Sequence, residues 1–219
     1  MPEVFKDRVT AGRELADALR HYAEREDVVV LGLPRGGVPV ALQVAEALGV
    51  SLDLMLVRKL GLPGHKELAM GAIATGGSSV LNEDVVRYYN ISAEAIEAAT
   101  AEERQELQRR ERLYRGERPV PKLRNRCVIL VDDGLATGAT MRAAVLALRQ
   151  QAPARIIVAV PVAPPDTVAL LREIVDEIVC LATPEPFWGV GRWYQDFDQT
   201  TDAEVRELLA KAWRLPETT

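Results

Sequence analysis

The chain has 219 residues, 48% of them hydrophobic and 27% charged, and a formal net charge of −5. That length suits one domain with an appended subdomain, and the composition supplies a full core and excludes a disordered chain. The acidic balance argues against broad electrostatic binding to nucleic acid; the longest apolar runs are strand-sized, and the opening MPEVFKDRV lacks the apolar centre of a signal peptide.

The pattern alternates helix and strand. Thr10 to Glu24 reads as a helix with Thr10 as its candidate cap. Val28 to Leu33 is an apolar strand, and Val38 to Leu48 a helix stopped by Gly49. Between them lies Leu33-Pro34-Arg35-Gly36-Gly37. A glycine-rich turn at a helix start offers free N–H groups, and Arg35 adds a cation, so the turn suits an anion. A plain strand-to-helix turn that uses glycine for its backbone freedom is the alternative.

Leu52 to Val57 is the next strand. Arg58 to Leu68 reads as a polar loop with two glycines and a proline, carrying Arg58, Lys59, His65 and Lys66. Ala69 to Ala74 and Ser78 to Leu81 flank Thr75-Gly76-Gly77 and suggest a hairpin. Ser92 to Arg115 is a long helix dense in charge, with few large apolar residues. It reads as an exposed insertion, a lid or a partner surface. Its arginines alternate with Glu102, Glu103, Glu106 and Glu111, the pattern of ion pairs along a solvated face.

After Pro119 and Pro121 comes the run CVILVDDGLATGAT, Cys127 to Thr140. Four apolar residues lead into Asp132 and Asp133, then a turn of small and hydroxylated residues, then a helix from Met141 to Gln151. The turn is a ready phosphate site, because free N–H groups and the positive end of the helix face one point. Two carboxylates beside it would repel a phosphate, so they suit hydroxyl groups, and a ribose 5-phosphate has that layout. Neither G-x-x-x-x-G-K-[ST] nor G-x-G-x-x-G occurs where another phosphate loop would need it.

Arg155 to Val160, a helix from Pro165 to about Ile174, and Glu177 to Leu181 complete the alternation. Cys127 and Cys180 fall in expected core strands and lack metal-ligand spacing, which suits buried thiols in a reducing cytoplasm. The segment TPEPFWGVGRWYQDFDQT, Thr183 to Thr200, is rich in aromatics, and Thr201 to Glu204 forms a capping box for a last helix to about Trp213. The expected fold class is α/β: a mostly parallel sheet with helices on both faces, a helical insertion and a small C-terminal hood. Ligands then bind outside the carboxyl ends of the strands, where the turns after the strands converge. The expected division is a core over residues 1–182, with a hairpin and charged helix inserted at about 69–118, and a hood with a C-terminal helix over 183–219.

The run VILVDDGLATGAT resembles the signature of the type I phosphoribosyltransferases. The resemblance implies that Asp132 and Asp133 bind the ribose hydroxyls of phosphoribosyl pyrophosphate and that Ala136, Thr137, Gly138, Ala139 and Thr140 hold its 5-phosphate. It also implies that Pro34, Arg35, Gly36 and Gly37 form the pyrophosphate turn, often with an unusual cis peptide. Arg58-Lys59 is similar to the start of the mobile catalytic loop in adenine and orotate transferases, which with His65 and Lys66 would close over the departing pyrophosphate. Pro186-Phe187 and the aromatics after it are similar to the hood of hypoxanthine-guanine transferases, implying Phe187 and Trp188 as base-stacking residues and Asp196 as an aspartate near the metal. Trp193 and Phe197 read equally well as core aromatics of the hood. Ala136 stands where hypoxanthine-guanine transferases carry an aspartate proposed as acid/base. The overall layout resembles an uncharacterised group of predicted bacterial phosphoribosyltransferases.

The expected function is transfer of the 5-phosphoribosyl group to a nitrogen acceptor, a nucleobase, with release of pyrophosphate and with Mg²⁺ carried mainly by the substrate. A phosphoribosyl pyrophosphate sensor without catalysis is the alternative. A phosphohydrolase reading lacks a nucleophile and a metal cluster. Neither a membrane nor nucleic acid is an expected partner, and a homodimer stays open.

Overall fold

The computed structural model describes residues 4–214. The chain divides into two compact units. The first takes in residues up to Met55, Leu123–Gly138, and Pro153 onward; the second takes in Leu56–Lys122 and Ala139–Ala152.

In the first unit, helix α1 spans Arg8–Ala18 and is followed by a short 3₁₀ turn over Arg20–Tyr22. The cap is Asp7, not Thr10: the Asp7 carboxylate accepts the Thr10 N–H at 2.7 Å, so Thr10 occupies the first turn. Strand β1, Val28–Gly32, leads through the Pro34–Gly36 turn into α2, Gly37–Leu48, which Gly49 stops in the left-handed conformation. Strand β2 is Ser51–Leu54.

The second unit opens with β3, Val57–Leu62, and β4, His65–Ala74, paired antiparallel. The expected polar loop over Arg58–Leu68 is therefore two strands and a tight turn. Leu60, Leu62 and Met70 are buried, which a mobile loop could not arrange. Pro63-Gly64 occupies the turn, with Gly64 at φ +77°, the pairing that type II turns use. Strand β5, Ser79–Leu81, pairs with β4, which gives the expected hairpin around Thr75–Gly77. A short helix α3, Glu83–Tyr88, precedes α4, Ala93–Arg115, capped by Ser92. α4 packs on β3 and β4, burying Leu107 and Tyr114 while most of its surface stays in water. Arg109 and Arg110 both pair with Glu106, at 2.7 and 3.1 Å, along its solvated face.

Back in the first unit, β6 is Cys127–Val131, fully buried. Helix α5, Ala139–Arg149, belongs to the second unit and packs on β3, β4 and β5. Strand β7, Arg155–Val162, helix α6, Pro165–Arg172, and strand β8, Glu177–Ala182, follow. The last helix α7, Asp202–Arg214, starts with the expected capping box: the Glu204 carboxylate accepts the Thr201 N–H at 2.7 Å and the Thr201 hydroxyl accepts the Glu204 N–H at 3.2 Å. Cys127 is buried and Cys180 half-buried, and burial raises both thiols, Cys180 to about 11, so neither is ionised near neutrality.

The five strands of the first unit form a parallel sheet in the order β2-β1-β6-β7-β8. β1 and β6 have no exposed residue on either face, as a sheet covered on both sides requires. The chain runs from β1 outward to β2, then resumes on the other side of β1 with β6. The turns after β1 and β6 therefore lie side by side at their shared carboxyl edge, the point where the strand order reverses and where such sheets receive ligands.

Replacing Asp7 by Ala leaves the α1 N-terminus without its carboxylate partner. We expect a loss of about 1 kcal/mol, seen as a fall of roughly 2–4 °C in thermal midpoint.

Candidate active site

The turns after β1 and β6 meet at atomic contact. The Leu33 N–H donates to the Val131 carbonyl at 2.9 Å, continuing the β1–β6 pairing past the strand ends. A Cβ on Gly36 would lie 2.0 Å from Oδ2 of Asp133, and one on Gly37 would lie 2.7 Å from the Val131 carbonyl and 2.9 Å from the Asp132 Cα. Only glycine at both positions lets the first turn seat against the acid pair. The Pro34–Arg35 peptide is cis.

Asp132 and Asp133 are half-buried at the end of β6. Oδ1 of Asp132 accepts the Asp133 N–H at 2.9 Å. Oδ2 of Asp133 accepts from Nε of Arg8 at 2.8 Å, and both side chains of that pair are largely withdrawn from water. Tyr194 donates its hydroxyl to the Asp133 carbonyl at 2.5 Å. Burial, then the Asp133 charge, raises the Asp132 carboxyl well above the ordinary carboxylate range. Burial also raises Asp133, and Arg8 opposes that rise. Beyond them the chain turns through Ala136 and Thr137, both exposed, to a buried Gly138. Thr167, from the first turn of α6, donates its hydroxyl to the Ala136 carbonyl at 2.7 Å and fixes this turn.

A family model described as Phosphoribosyl transferase domain matches residues 5–195. The chain belongs to that family. Two proteins of Mycobacterium tuberculosis, named "Putative phosphoribosyl transferase MT0597" (strain CDC 1551 / Oshkosh) and "Putative phosphoribosyl transferase Rv0571c" (strain ATCC 25618 / H37Rv), are each 48% identical to it over 97% of its length. The chain spans about half the length, 48%, of these curated relatives. The crystal structure of TT1426 from Thermus thermophilus is 45% identical, with a TM-score of 0.86 over 95% of this chain and 98% of that one.

The remaining expected residues of this phosphoribosyltransferase-family chain fall in different settings. Arg35 is exposed, its guanidinium 3.9 Å from Asp202 on α7. Arg58 lies on β3 in the second unit and binds Glu103 of α4 at 2.7 Å. Lys59 on the same strand and His65 at the start of β4 are exposed, and the side chains of Lys66 and Glu67 lie outside the described residues. Phe187 packs against an apolar cluster of Phe5, Ala11, Val162, Trp193 and Tyr194, whereas Trp188 is 77% exposed. Asp196 is exposed and accepts the Asp198 N–H at 3.3 Å. Trp193 is buried in the cluster, and Phe197 packs against it with the Arg8 guanidinium 4.0 Å above its ring.

Arg8, Tyr194 and Thr167 escape a motif reading. Arg8 is 125 positions from Asp133. In the structure Arg8 is the first residue of α1, where a cation opposes the helix dipole and is favoured by an anion from elsewhere in the fold.

The raised Asp132 carboxyl has a consequence for stability. Its ionised form is penalised in the folded state, so the chain is stabilised below the ordinary carboxylate range and loses that contribution as pH rises through the raised value. Asn at position 132 keeps the acceptor for the Asp133 N–H and carries no charge. We expect Asp132→Asn to raise the thermal midpoint at pH 8 by about 2–4 °C, the equivalent of roughly 1 kcal/mol, with the gain vanishing near pH 4. An Asn variant less stable than the parent at pH 8 would mean that the carboxylate is net stabilising.

Proposed function

We propose that the chain transfers the 5-phosphoribosyl group of phosphoribosyl pyrophosphate to a nitrogen acceptor, a nucleobase, and releases pyrophosphate. The observation that carries this reading is the contact between the two strand-end turns: a carboxylate pair seated on a Gly36–Gly37 turn, at the switch point of a parallel sheet, in a chain of this family.

Asp132 and Asp133 receive the ribose hydroxyls. Ala136, Thr137 and Gly138, with the Ala139 and Thr140 that follow, take the 5-phosphate. Binding energy from this unreacting group is available to hold the anomeric carbon in line with the acceptor. Pro34, Gly36 and Gly37 present the turn to the pyrophosphate, and Arg35 supplies its cation. On the strength of the resemblance we keep Arg58, Lys59, His65 and Lys66 as the hairpin's candidates for the leaving group. We keep residues 183–219 as the hood the resemblance implies, of which 215–219 lie outside the described residues, with Phe187 and Trp188 for the base.

Among the described residues no group of three or more acids, histidines and cysteines forms a metal cage. The acid pair, raised by burial and partly engaged by Arg8, fits a Mg²⁺ that arrives on the oxygens of its substrate, with Asp196 as the metal-side aspartate the resemblance implies. When bound, such an ion neutralises charge developing on the pyrophosphate. No helix of the described residues is long and apolar enough to cross a membrane.

Supplied with phosphoribosyl pyrophosphate, Mg²⁺ and a panel of nucleobases, the protein should release pyrophosphate with at least one of them. Asn at both Asp132 and Asp133 should lower that rate by at least about 100-fold, the order of loss that follows misplacement of a reacting centre. Full activity in the double variant would refute the assignment. Tight substrate binding without turnover on any base would favour a sensor.

A further inference from the structure

Arg8 makes three contacts with three different parts of one guanidinium. Its Nε holds Oδ2 of Asp133 at 2.8 Å, its Nη1 donates to the Asp198 carbonyl at 2.7 Å, and its face covers the Phe197 ring at 4.0 Å. Phe197 stacks on Tyr194, with ring centroids 4.9 Å apart, and Tyr194 returns to the Asp133 carbonyl through its hydroxyl. The circuit closes on a single residue: Asp133 is gripped through its carboxylate by Arg8 and through its backbone by Tyr194.

The segment that carries Tyr194 and Asp198 is fastened to the start of α1. The Phe5 N–H donates to the Trp193 carbonyl at 2.8 Å, the Gln195 N–H to the Phe5 carbonyl at 2.8 Å, and the Asp196 N–H to the Lys6 carbonyl at 3.0 Å. Residues 5–8 and 193–198 therefore behave as one piece. The Asp133 carboxylate is placed by that piece as well as by the strand that bears it.

We infer that Arg8 is a positioning residue for the donor sugar: its guanidinium fixes the Asp133 carboxylate to the Tyr194–Asp198 segment and so sets the carboxylate that receives the ribose. The inference rests on the donor reading above. A planar, forked cation is needed for this, because a lysine ammonium could neutralise Asp133 but could not also lie flat on Phe197 while reaching the Asp198 carbonyl. Arg8 touches no reacting atom; it acts through Asp133. Because the hydrogen bonds run to the aromatic segment proposed to hold the base, displacement of that segment would move the sugar-binding carboxylate with it.

The test compares Arg8→Lys, Arg8→Met and, as a control on the same helix, Arg13→Met. Each is assayed for the KM of phosphoribosyl pyrophosphate and of the accepted base, for binding of phosphoribosyl pyrophosphate with Mg²⁺ by calorimetry, and for thermal midpoint. Methionine preserves the packing over Phe197 and removes the charge. We expect Arg8→Met to raise the donor KM and dissociation constant by about 10–100-fold, the loss seen when a group that orients a ligating side chain is removed, while the KM of the base stays within about threefold. Arg8→Lys should recover part of the loss, and Arg13→Met should match the parent. If Arg8→Met does not fold, Arg8→Gln, which keeps a donor for Asp133 without the charge, gives the same comparison. Donor binding unchanged in the uncharged variant, or Arg8→Lys with the full donor affinity of the parent, overturns the inference and leaves the donor reading standing. Failure of the parent protein to bind phosphoribosyl pyrophosphate at all overturns the donor reading and the inference with it.

Discussion

The constraint on which the first unit turns is the need to hold two adjacent carboxyl groups, partly out of water, at the end of a fully buried strand. Two such groups repel, and burial penalises each one's charge. The fold answers with an amide, the Asp133 N–H on Asp132, and with a cation, Arg8 on Asp133. The opposing turn has no side chain at Gly36 and Gly37 to obstruct the pair. The compensation is incomplete, since both carboxyl groups remain raised. A buried carboxyl pair that is costly in the free protein is stabilised by any ligand that brings hydrogen-bond donors to it.

Sheet topology determines where that site lies. The chain leaves β1 for β2 on one side and returns as β6 on the other, so the turns after β1 and β6 stand side by side at one edge. The turn after β6 is fixed from α6 by Thr167, and the turn after β1 is fixed by the strand pairing that extends to Leu33. The second unit is built differently, from an antiparallel hairpin with α4 and α5 packed on it. Arg58 there pairs with Glu103 of α4.

Most of the first unit is legible in sequence, because continuous apolar runs such as Val128–Val131 and abrupt glycine-rich ends mark buried parallel strands and their turns. The acid pair and the glycine-containing turn after it are legible for the same reason: they are contiguous. The Arg58–Leu68 segment misleads because its proline, glycines and charge outweigh the alternation of Leu60 and Leu62, and Pro63-Gly64 is a hairpin turn rather than the centre of a loop. The α1 cap lies three residues before its expected place because Asp7 and Thr10 are both good capping types and only the backbone decides between them. Arg8, Tyr194 and Thr167 are not legible, since their meaning depends on partners 125, 61 and 31 positions away.

The most direct measurement is a crystal structure of the protein with phosphoribosyl pyrophosphate and Mg²⁺ bound. The account predicts ribose hydroxyls on the carboxylates of Asp132 and Asp133, the 5-phosphate on the backbone amides of the turn that begins at Ala136, and Arg8 still on Asp133. A donor whose ribose leaves both carboxylates untouched, or whose 5-phosphate lies away from that turn, would contradict it.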